Sequence, residues 1–581
     1  MSSEGEFRII SVLGGVLSGI GKGLATASIA RILQEYGYRT TGIKIDPYIN
    51  FDAGTLRPTE HGEVWVTFDG GEIDQDLGTY ERFIGRELGK RNNITTGQVY
   101  KSVIDRERRG EYLGKTVQLI PHIQEEIVNR ILEAARGFEC VLLEVGGTIG
   151  DHENIPFLLA LKHLERRFGP NRVVHVLLTY LPIPGHLGEM KTKPAQQAIR
   201  MLSETGIFPS FILCRAEREV DQVRKNKIET YANIDAESVI SAPDVRHVYS
   251  LPLLFEREGL GRKLLVKLGL PPRREPDWGQ WRDAVYRLEH PQRSCRVAIV
   301  GKYVDSGSFS LSDSYVSINR ALEHAGASRS TKVEVQWVDS KTLEHHPPEE
   351  ILAPYHGIII PGGFGGTGME GKVEAIRFAR ENGLPFLGLC YGLHLAIVEF
   401  ARNVLGLDGA ATTEVEPLSP HPVIDLLPAQ KEKLKVDGYG GTMRLGSYAA
   451  QLDDASAVCR LYRSTGRLDR DRERLLEWKE DPALAFRLGT VDLDAPAVLE
   501  RHRHRYEVND AYVDRMRQGG MAISGWHTKA DGRVLVEFIE LPGHHFFIAT
   551  QAHPEFQSRL EDPAPLFLGL VEACERRAGA A

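Results

Sequence analysis

The amino-acid sequence predicts an α/β protein with two doubly wound domains, each built on a parallel sheet. Short apolar runs alternate with stretches of helical periodicity over residues 8–267, the alternation stops in a Pro-, Arg- and Trp-rich segment, and it starts again at Cys295. Repeated strand and helix patterns are typical of a parallel sheet covered on both faces. We therefore expect domains over residues 1–267 and 295–581, joined by a linker over 268–294.

The first domain begins with a buried strand, predicted over Arg8–Gly14. The helix that follows has one apolar face, formed by Ile29, Ile32, Leu33 and Tyr36. Further strands are expected at "TTGIKID", "CVLLEV", "VVHVLLTYL" and "SFILCRA", and a further helix at "HIQEEIVNRILEAAR".

The second domain repeats this alternation after the linker "LGLPPRREPDWGQWRDAVYRLEHPQRS". Its predicted strands lie in "CRVAIVGKYV", "KVEVQWVD", "GIIIPGG" and "LPFLGLC". Residues 463–494 are much more charged than their surroundings, and we expect them to form a surface excursion that contains a helix.

Composition excludes several classes of protein. The 581 residues are too many for one hydrophobic core, and 42% hydrophobic with 26% charged residues is typical of a globular protein. A net charge of -8 argues against a nucleic-acid or acidic-membrane partner. No apolar run approaches the length of a membrane span, so we expect a cytoplasmic protein.

The cysteines favour reduced thiols over a disulfide framework or a zinc site. There are six, far apart and without a CxxC pair. They are Cys140, Cys214, Cys295, Cys390, Cys459 and Cys574.

The stretch "SVLGGVLSGIGKGLATASIARIL" predicts a phosphate-binding loop between a strand and a helix. Backbone N–H groups and the helix dipole attract phosphate there, and Lys22 adds a full charge. Gly23 follows Lys22, so the hydroxyl that usually holds magnesium is absent and carboxylates must replace it. Asp76 and Glu144 are the candidates, although Asp76 is also compatible with a solvated loop acid.

A second candidate site lies at "FLGLCYGLH", where Cys390 stands between a strand and a helix. A sharp turn and a helix N-terminus both favour a reactive thiolate, although a buried cysteine is also compatible with a simple core position. In "ATQAHPEF", His553 and Glu555 supply a base and its orienting carboxylate. "PGGFGG" offers N–H groups for an oxyanion.

Several long blocks make the N-terminal half resemble the amidoligase domain of the CTP synthase family. They are "KIDPYINFDAGTLRPTEHGEVWV", "DLGTYERF", "GEYLGKTVQLIPHI", "EVGGTIGD" and "EMKTKPAQ". The phosphate loop resembles that of dethiobiotin-synthetase-like proteins, in which acids hold the metal. "RHRHRYEVN" and "GGTMRLG" make the C-terminal half resemble the class I glutamine amidotransferase domain fused in the same family.

The resemblance implies a role for each of a set of N-terminal residues. ATP would be bound by Ser18, Gly19, Gly21, Lys22, Gly23, Lys44, Asp76 and Arg215, with Arg215 on the adenine side. Mg²⁺ would be held by Asp76 and Glu144. UTP, or the product CTP, would be bound by Ser18, His61, Gln118, Asp151, His152, Glu153, Lys191, Lys193, Gln196 and Lys227.

In the C-terminal half the resemblance implies a glutamine-hydrolysing site. Cys390 would be the nucleophile, His553 the base and Glu555 its orienter. The glutamine pocket would comprise Gly363, which also supplies the oxyanion hole, with His394, Glu414 and Arg505. Thr442 and Arg444 match the region linked to activation by GTP.

Four features depart from the family pattern. His152 replaces a usually apolar residue, His394 replaces a glutamine, and Thr367 replaces an arginine linked to the GTP response. The charged excursion over residues 463–494 is longer than usual. His152 would alter contacts with the pyrimidine or a product inhibitor, whereas the other three departures bear on glutamine use and its activation by GTP.

The function implied is an ATP-dependent amination of UTP at C4 to CTP through a 4-phosphorylated intermediate, with ammonia from glutamine. GTP would be an allosteric activator, and the enzyme would be a homotetramer. Two alternatives stay open from the sequence. One is an amidoligase for a different, modified pyrimidine nucleotide, and the other is a nucleotide-binding, filament-forming regulatory homologue with little turnover.

Overall fold

The structure is a computed structural model that describes residues 7–15, 17–57, 62–185, 188–301, 315–426 and 443–580. It divides into two compact units. The first contains the described residues of 1–56 and 72–285, and the second those of 57–71 and 286–581.

The strands are short and fall mostly where apolar runs occur in the sequence. In chain order they are β1 Arg8–Gly14, β2 Thr40–Asp46, β3 Val64–Val66, β4 Glu72–Asp74, β5 Asn93–Thr95, β6 Cys140–Val145, β7 Val173–Tyr180, β8 Phe211–Ala216, β9 Val239–Pro243, β10 Arg293–Gly301, β11 Thr331–Asp339, β12 Gly357–Ile360, β13 Phe386–Leu389, β14 Ala410–Thr412, β15 His421–Leu426, β16 Arg444–Leu452, β17 Ala497–His504, β18 Tyr506–Val508, β19 Ala522–Thr528, β20 Val534–Glu540 and β21 Phe547–Thr550.

The helices separate most of these strands. In chain order they are α1 Lys22–Glu35, α2 Asp76–Ile84, α3 Thr96–Arg108, α4 Gln124–Ala134, α5 Ile155–Phe168, α6 Lys193–Glu204, α7 Gln222–Ala232, α8 Leu251–Arg257, α9 Leu260–Lys267, α10 Gly279–Glu289, α11 Val316–Arg329, α12 Pro348–Leu352, α13 Met369–Glu381, α14 Tyr391–Asn403, α15 Ala457–Ser464, α16 Arg467–Lys479, α17 Val513–Gln518 and α18 Pro565–Ala580.

The first unit is built on a seven-stranded parallel sheet with the order β5-β2-β6-β1-β7-β8-β9. Residues of β1, β2 and β6 are buried on both faces, as a parallel sheet covered by helices requires. The predicted α/β class is confirmed. The predicted apolar face of α1 is also confirmed, because Ile29, Ile32, Leu33 and Tyr36 are fully buried.

The second unit contains a nine-stranded sheet with the order β11-β10-β12-β13-β21-β20-β19-β16-β17. The pairs from β11 to β21 are parallel, and those from β21 to β17 are antiparallel. The parallel part contains the four strands predicted after the linker. A three-stranded sheet, β14-β15-β18, lies beside it in the same unit.

Two segments differ from the division expected from the sequence. Residues 57–71 precede most of the first unit in the chain but belong to the second unit, where β3 lies. The region expected to be a linker contains helix α10, in which Trp281 is buried and donates a hydrogen bond to the Tyr249 carbonyl oxygen (2.8 Å). The Pro- and Arg-rich start of this region is typical of a linker, so sequence analysis did not predict the helix that follows.

The helix expected within residues 463–494 is present as α16. Across the part of the chain that the structure describes, none of the helices has both the length and the hydropathy needed to cross a bilayer.

A core substitution in the first unit tests the packing of helix α5 against its sheet. Leu161 is fully buried there, so Leu161→Ala should lower the free energy of unfolding by about 2–5 kcal/mol through lost contacts and a residual cavity. Val266→Ala, at an 80% exposed position of α9, should change it by no more than about 0.5 kcal/mol. Urea denaturation followed by fluorescence measures both, and equal effects would contradict the packing described.

Candidate active sites

The phosphate loop lies between the carboxyl end of β1 and the first turn of α1. Gly21 caps the helix with φ 93°, a left-handed conformation that favours glycine. The first turn contains no acidic residue, so its free N–H groups and helix dipole stay available to an anion. This arrangement is the one that the glycine and lysine spacing predicts.

Lys22 extends from this first turn toward the loop after β6. Its ammonium donates a hydrogen bond to the Gly147 carbonyl oxygen (2.6 Å) and passes over Gly14, where a Cβ would lie 2.8 Å from the lysine Cδ. Burial lowers the pKa of Lys22, and the charge of Glu144 opposes that shift. The Gly147 carbonyl oxygen therefore fixes the position of the Lys22 ammonium.

Lys44 contacts both of the acids predicted to hold a metal. It is aligned with Glu144 in the pairing of β2 and β6, and its ammonium donates to Glu144 Oε1 (3.0 Å) and to Asp76. The Tyr80 hydroxyl donates to the other oxygen of Glu144. Burial alone would lower the pKa of Lys44, but the carboxylates of Asp76 and Glu144 outweigh it and raise that pKa well above its usual range.

Asp76 also touches the phosphate loop itself. A Cβ on Gly23 would overlap Asp76 Oδ1, so glycine at this position lets the first turn of α1 approach the carboxylate. Two carboxylates thus converge on one cationic group beside a helix N-terminus. Among the residues that the structure describes, no three His, Cys, Asp or Glu side chains are arranged to hold a metal by themselves.

A cavity of about 200 Å³ lies beside the loop. Arg215 borders it and donates hydrogen bonds to the Gly19 carbonyl oxygen (3.1 Å) and to Asp244 (2.9 Å). The other lining side chains are mostly apolar and include Ile20, Leu24, Val245, Val248 and Phe255. A planar apolar group attached to a phosphate chain would fit this combination.

The residues predicted to bind UTP lie on several elements. Asp151 accepts hydrogen bonds from Thr148, at 2.6 Å from its N–H and 2.9 Å from its hydroxyl. Gly150 packs against Met201 of α6, which places the 147–153 turn next to that helix. Lys193 and Gln196 lie in the first turn of α6 and Lys191 lies two residues before it, and His152 and Glu153 are exposed beside Asp151.

Three other members of this predicted set lie elsewhere. Gln118 is exposed and precedes a short helical turn, where its N–H donates to His122 (3.0 Å). Lys227 lies on the exposed surface of α7, and Ser18 is exposed in the phosphate loop. His61 falls outside the described residues.

In the second unit Cys390 occupies a strained turn between β13 and α14. Its φ of 51° and ψ of -99° are unusual for a residue other than glycine, and such strain is concentrated at functional sites. A Cβ on Gly392 would overlap the Ile360 carbonyl oxygen, so glycine permits the sharp turn. The Cys390 N–H donates to the Thr550 carbonyl oxygen (2.7 Å), which fixes the turn against β21.

His553 and Glu555 follow β21 and form a buried pair. His553 Nδ1 is 2.7 Å from Glu555 Oε1, and the other ring nitrogen, Nε2, has no hydrogen-bond partner in the described part of the chain. Burial opposes the imidazolium charge, but Glu555 and the nearby Cys390 sulfur outweigh it and raise the pKa of His553 to about 10. The His553 ring is therefore protonated at neutral pH, and Glu555 balances its charge.

Glycine-rich backbone surrounds this triad. A Cβ on Gly362 would lie 2.8 Å from His553 Cε1, and one on Gly363 would lie 3.9 Å from the Tyr391 ring. The Gly365 N–H donates to Glu414 (3.0 Å), and the Tyr391 hydroxyl donates to the Gly365 carbonyl oxygen (2.9 Å). Gly363 and Glu414, both predicted for the glutamine pocket, are thereby brought to the same strand edge as Cys390.

His394 contacts a protein amide. Its Nε2 is 2.8 Å from Gln551 Oε1, and the Gln551 amide nitrogen is 3.8 Å from the Cys390 sulfur. Burial lowers the pKa of His394 to about 4, so the ring is neutral at physiological pH. The Gln551 amide thus lies between His394 and the nucleophile.

The remaining predicted residues have separate positions. Arg505 is half-buried directly after β17, and Thr367 is exposed between β12 and α13. Arg444 is buried and donates to Glu537 (2.5 Å), with its guanidinium 4.4 Å from the Tyr448 ring centre. Thr442 lies outside the described residues, so the proposed GTP region stays a prediction.

Two family models match the chain. One, described as "CTP synthase N-terminus", matches residues 8–270, and the other, "Glutamine amidotransferase class-I", matches residues 310–573. A CTP synthase of Pyrococcus abyssi is 47% identical over 98% of this chain and 98% of its own. That of Methanopyrus kandleri is 48% identical over 97% and 98%, and that of Thermus thermophilus 45% over 97% and 96%. The chain belongs to the CTP synthase family.

Membership of the CTP synthase family confirms the resemblance drawn from the sequence blocks. The roles of the individual residues in this CTP synthase family member stay predictions. Sequence reasoning missed Tyr80 and Gln551, which contact the predicted residues Glu144 and Cys390, and Tyr391, which donates to the Gly365 carbonyl oxygen. Each lies inside a quoted motif, but the direction of its side chain depends on neighbours from other strands.

The His553–Glu555 pair predicts how Cys390 responds to pH. Because Glu555 raises the pKa of His553, Glu555→Gln should lower it and destabilise the imidazolium that accompanies the thiolate. Reaction of Cys390 with iodoacetamide should then reach half its maximal rate at higher pH. The pH profile of alkylation measures this change, after the rate in Cys390→Ala is subtracted to remove reaction at other cysteines.

The exposed substitution Glu349→Gln in α12 is a matched control that should leave the alkylation profile unchanged. In the native protein, the raised pKa of His553 adds to the free energy of unfolding. This contribution is complete below about pH 6.5 and is lost as the pH rises through about 10. An unchanged profile in Glu555→Gln would show that the carboxylate does not support the imidazolium.

Proposed function

We propose that the chain converts UTP to CTP, using ATP and ammonia derived from glutamine. The observation that carries this proposal is a complete set of reactive groups in each unit of a CTP synthase family member. Lys22, Lys44, Asp76 and Glu144 converge beside a phosphate loop, and the Cys390 elbow faces a His553–Glu555 pair. Because a nucleotide-binding regulator has no need of both sets, the filament-forming alternative is not favoured.

In the first unit the residues position and charge the phosphates of ATP. N–H groups of the loop and the Lys22 ammonium would bind the β- and γ-phosphates, and the cavity beside Arg215 would accept adenine. The γ-phosphoryl group passes to O4 of UTP, which makes phosphate the leaving group at C4. Ammonia then attacks C4, loses a proton and displaces phosphate to give CTP. Phosphoryl transfer of this kind depends mainly on positioning and charge neutralisation.

Asp76 and Glu144 fit a magnesium ion because both already bind a cation, the Lys44 ammonium. When bound, Mg²⁺ would neutralise charge on the transferred phosphoryl group. The two carboxylates supply fewer than three protein ligands, so phosphate and water oxygens would have to complete the coordination shell.

In the second unit the residues hydrolyse glutamine. The Cys390 thiolate attacks the amide carbon, and the N–H of Gly363 would stabilise the oxyanion. The His553 imidazolium donates its proton to the departing nitrogen, so ammonia leaves and a thioester remains. His553 then takes a proton from water, whose oxygen attacks the thioester to release glutamate and the thiolate.

The pocket around the triad also supplies groups for the substrate's charged end. Glu414, held by the Gly365 N–H, would pair with the α-ammonium group of glutamine, and Arg505 with its α-carboxylate. His394 lacks the side-chain amide that the family usually has at this position. Its ring instead contacts the side-chain amide of Gln551, which follows β21.

Assembly and activation belong to the same proposal. A homotetramer is supported by large apolar side chains that are exposed on the first unit, among them Ile49, Phe51, Ile104 and Leu113. Activation by GTP is supported by the family resemblance around Arg444. Sedimentation velocity and rate measurements with and without GTP test these two parts.

Removing the nucleophile should separate the two reactions. Cys390→Ala should abolish CTP formation from glutamine, because no thioester can form, and leave CTP formation from ammonium within about twofold. The measurement is CTP formation from UTP, ATP and Mg²⁺ with each nitrogen source. Loss of both reactions would contradict two separable sites, and absence of CTP formation by the native enzyme with ammonium would refute the function itself.

Removing a carboxylate in the first unit should impair CTP formation from both nitrogen sources while leaving glutamine hydrolysis intact. Asp76→Asn should reduce CTP formation at least about 10²-fold with either nitrogen source, because charge neutralisation at the phosphates is lost. Release of glutamate should persist. Asp105→Asn, a change to a side chain that is 45% exposed on α3, should leave both rates unchanged. Retained CTP formation in Asp76→Asn would show that this acid does not hold the metal.

A further inference from the structure

The charged segment, residues 463–494, is mostly exposed, as a surface excursion should be, but it also packs several side chains into the second unit. Helix α16 buries one stripe of side chains spaced by three or four residues, namely Arg467, Asp471, Leu475 and Trp478. A later turn of the same segment buries Arg487, which is 6% exposed. Burial of two arginines and an aspartate is costly unless each makes specific contacts.

Arg467 makes its contacts with the turn that carries Glu555. Its guanidinium donates to the side-chain oxygen of Gln557, to the Leu499 carbonyl oxygen (3.1 Å) and to Asp471 (2.9 Å). Gln557 is the last residue of the turn Pro554–Gln557. The first residue of helix α16 is therefore hydrogen-bonded to the turn that contains Glu555.

Gln557 is held from a second side as well. Its amide nitrogen donates to the Leu499 carbonyl oxygen (2.8 Å) and to Glu500 (2.9 Å), both on β17. Asp471 accepts the Leu499 N–H (2.9 Å), which ties α16 to the same strand. The position of the Glu555 turn thus depends on a network that includes two residues of the charged segment.

The other end of the charged segment contacts residues 64–71. The Trp478 ring lies 6.0 Å from the Phe68 ring. Arg487 donates to the Asp69 carbonyl oxygen (2.9 Å) and to the Leu445 carbonyl oxygen (2.6 Å), so it joins this stretch to β16. The guanidinium also lies 5.0 Å from the Tyr448 ring.

The backbone allows little movement at this junction. A Cβ on Gly446 would lie 2.6 Å from an Arg487 guanidinium nitrogen and 2.6 Å from the Phe68 carbonyl oxygen. The Ser447 N–H donates to the Phe68 carbonyl oxygen (2.8 Å). Residues 64–71 are thereby fixed to β16 by both backbone and side-chain contacts.

Residues 64–71 reach the triad histidine through an aromatic stack. The Trp65 ring lies 5.0 Å from the Phe556 ring, and the Phe556 ring is stacked on His553 at 5.2 Å and 17°. Arg501, fully buried, donates to the Val66 carbonyl oxygen (3.0 Å), and its own carbonyl oxygen accepts the His553 N–H (2.8 Å). Displacement of Trp65 would therefore loosen the Phe556 ring, on which the His553 ring is stacked.

We propose that the charged segment is a positioning element for the Cys390–His553–Glu555 triad, acting on the Glu555 turn through Arg467 and on the His553 ring through Arg487, Trp478 and residues 64–71. This inference rests on the glutamine hydrolysis proposed above. The segment touches neither the thiol nor the imidazole, so it acts through groups that do.

The test compares Arg467→Met and Arg487→Lys with the control Arg472→Met, at a 59% exposed position of the same helix. CTP formation is measured with glutamine and with ammonium, together with the pH profile of Cys390 alkylation. We expect both variants to lose glutamine-dependent CTP formation about tenfold or more, since small misplacements of reacting groups are costly. The loss should be in kcat, with the KM for glutamine little changed. Ammonium-dependent formation should stay within twofold of the native rate in all three variants.

Alkylation of Cys390 should move to higher pH in Arg467→Met, because the displaced Glu555 supports the imidazolium less well. Arg487→Lys keeps the positive charge but loses the paired hydrogen bonds from one guanidinium to two carbonyl oxygens. If Arg467→Met does not fold, the glutamine-dependent rate of Arg487→Lys tests the positioning role. Proportional losses with glutamine and ammonium, or an unchanged glutamine reaction in Arg487→Lys, would overturn the inference. If the native enzyme releases no glutamate, the proposed function fails, whereas an unshifted alkylation profile in folded Arg467→Met refutes the positioning role alone.

Discussion

Parallel strands end at one edge of a sheet, and this constraint assembles both candidate sites. In the first unit, neighbouring β1, β6 and β2 bring together the loop before Lys22, the Glu144 carboxylate and the Lys44 ammonium. In the second unit, neighbouring β12, β13 and β21 bring the Gly362–Gly363 backbone, Cys390 and His553 to the same edge. Residues a hundred or more positions apart lie close together because the strand order makes their strands adjacent.

Buried charge at these edges is balanced within each site. Lys44 is held between carboxylates in the first unit, and His553 is held by Glu555 in the second. In both, the paired charge outweighs the cost of burial and keeps the cation protonated at neutral pH. The ion pairs hold these side chains in place within each site. Such preorganised charge lowers the cost of reorganisation during the reaction.

Close approach of backbone to side chain is the second means by which the sites are built. Gly23 admits the Asp76 carboxylate to the first turn of α1, and Gly362 admits the His553 ring to the loop after β12. At Gly392 the absence of a side chain permits the sharp turn at Cys390. In the second unit the same principle extends to Gly446, where residues 64–71 and Arg487 meet β16. The triad is consequently supported by parts of the chain that contain none of its members.

The sequence by itself determined the α/β class, the limits of strands such as Arg8–Gly14 and Cys140–Val145, and the motifs that contain Lys22, Cys390 and His553. Apolar runs and glycine spacing report these features because they depend on local burial and local backbone geometry. Tertiary structure alone decided that residues 57–71 join the second unit, that His394 contacts Gln551, and that Arg467 reaches Gln557. Those contacts join residues separated by about 90 positions or more, and no periodicity along the chain encodes which distant side chain will face a buried polar group.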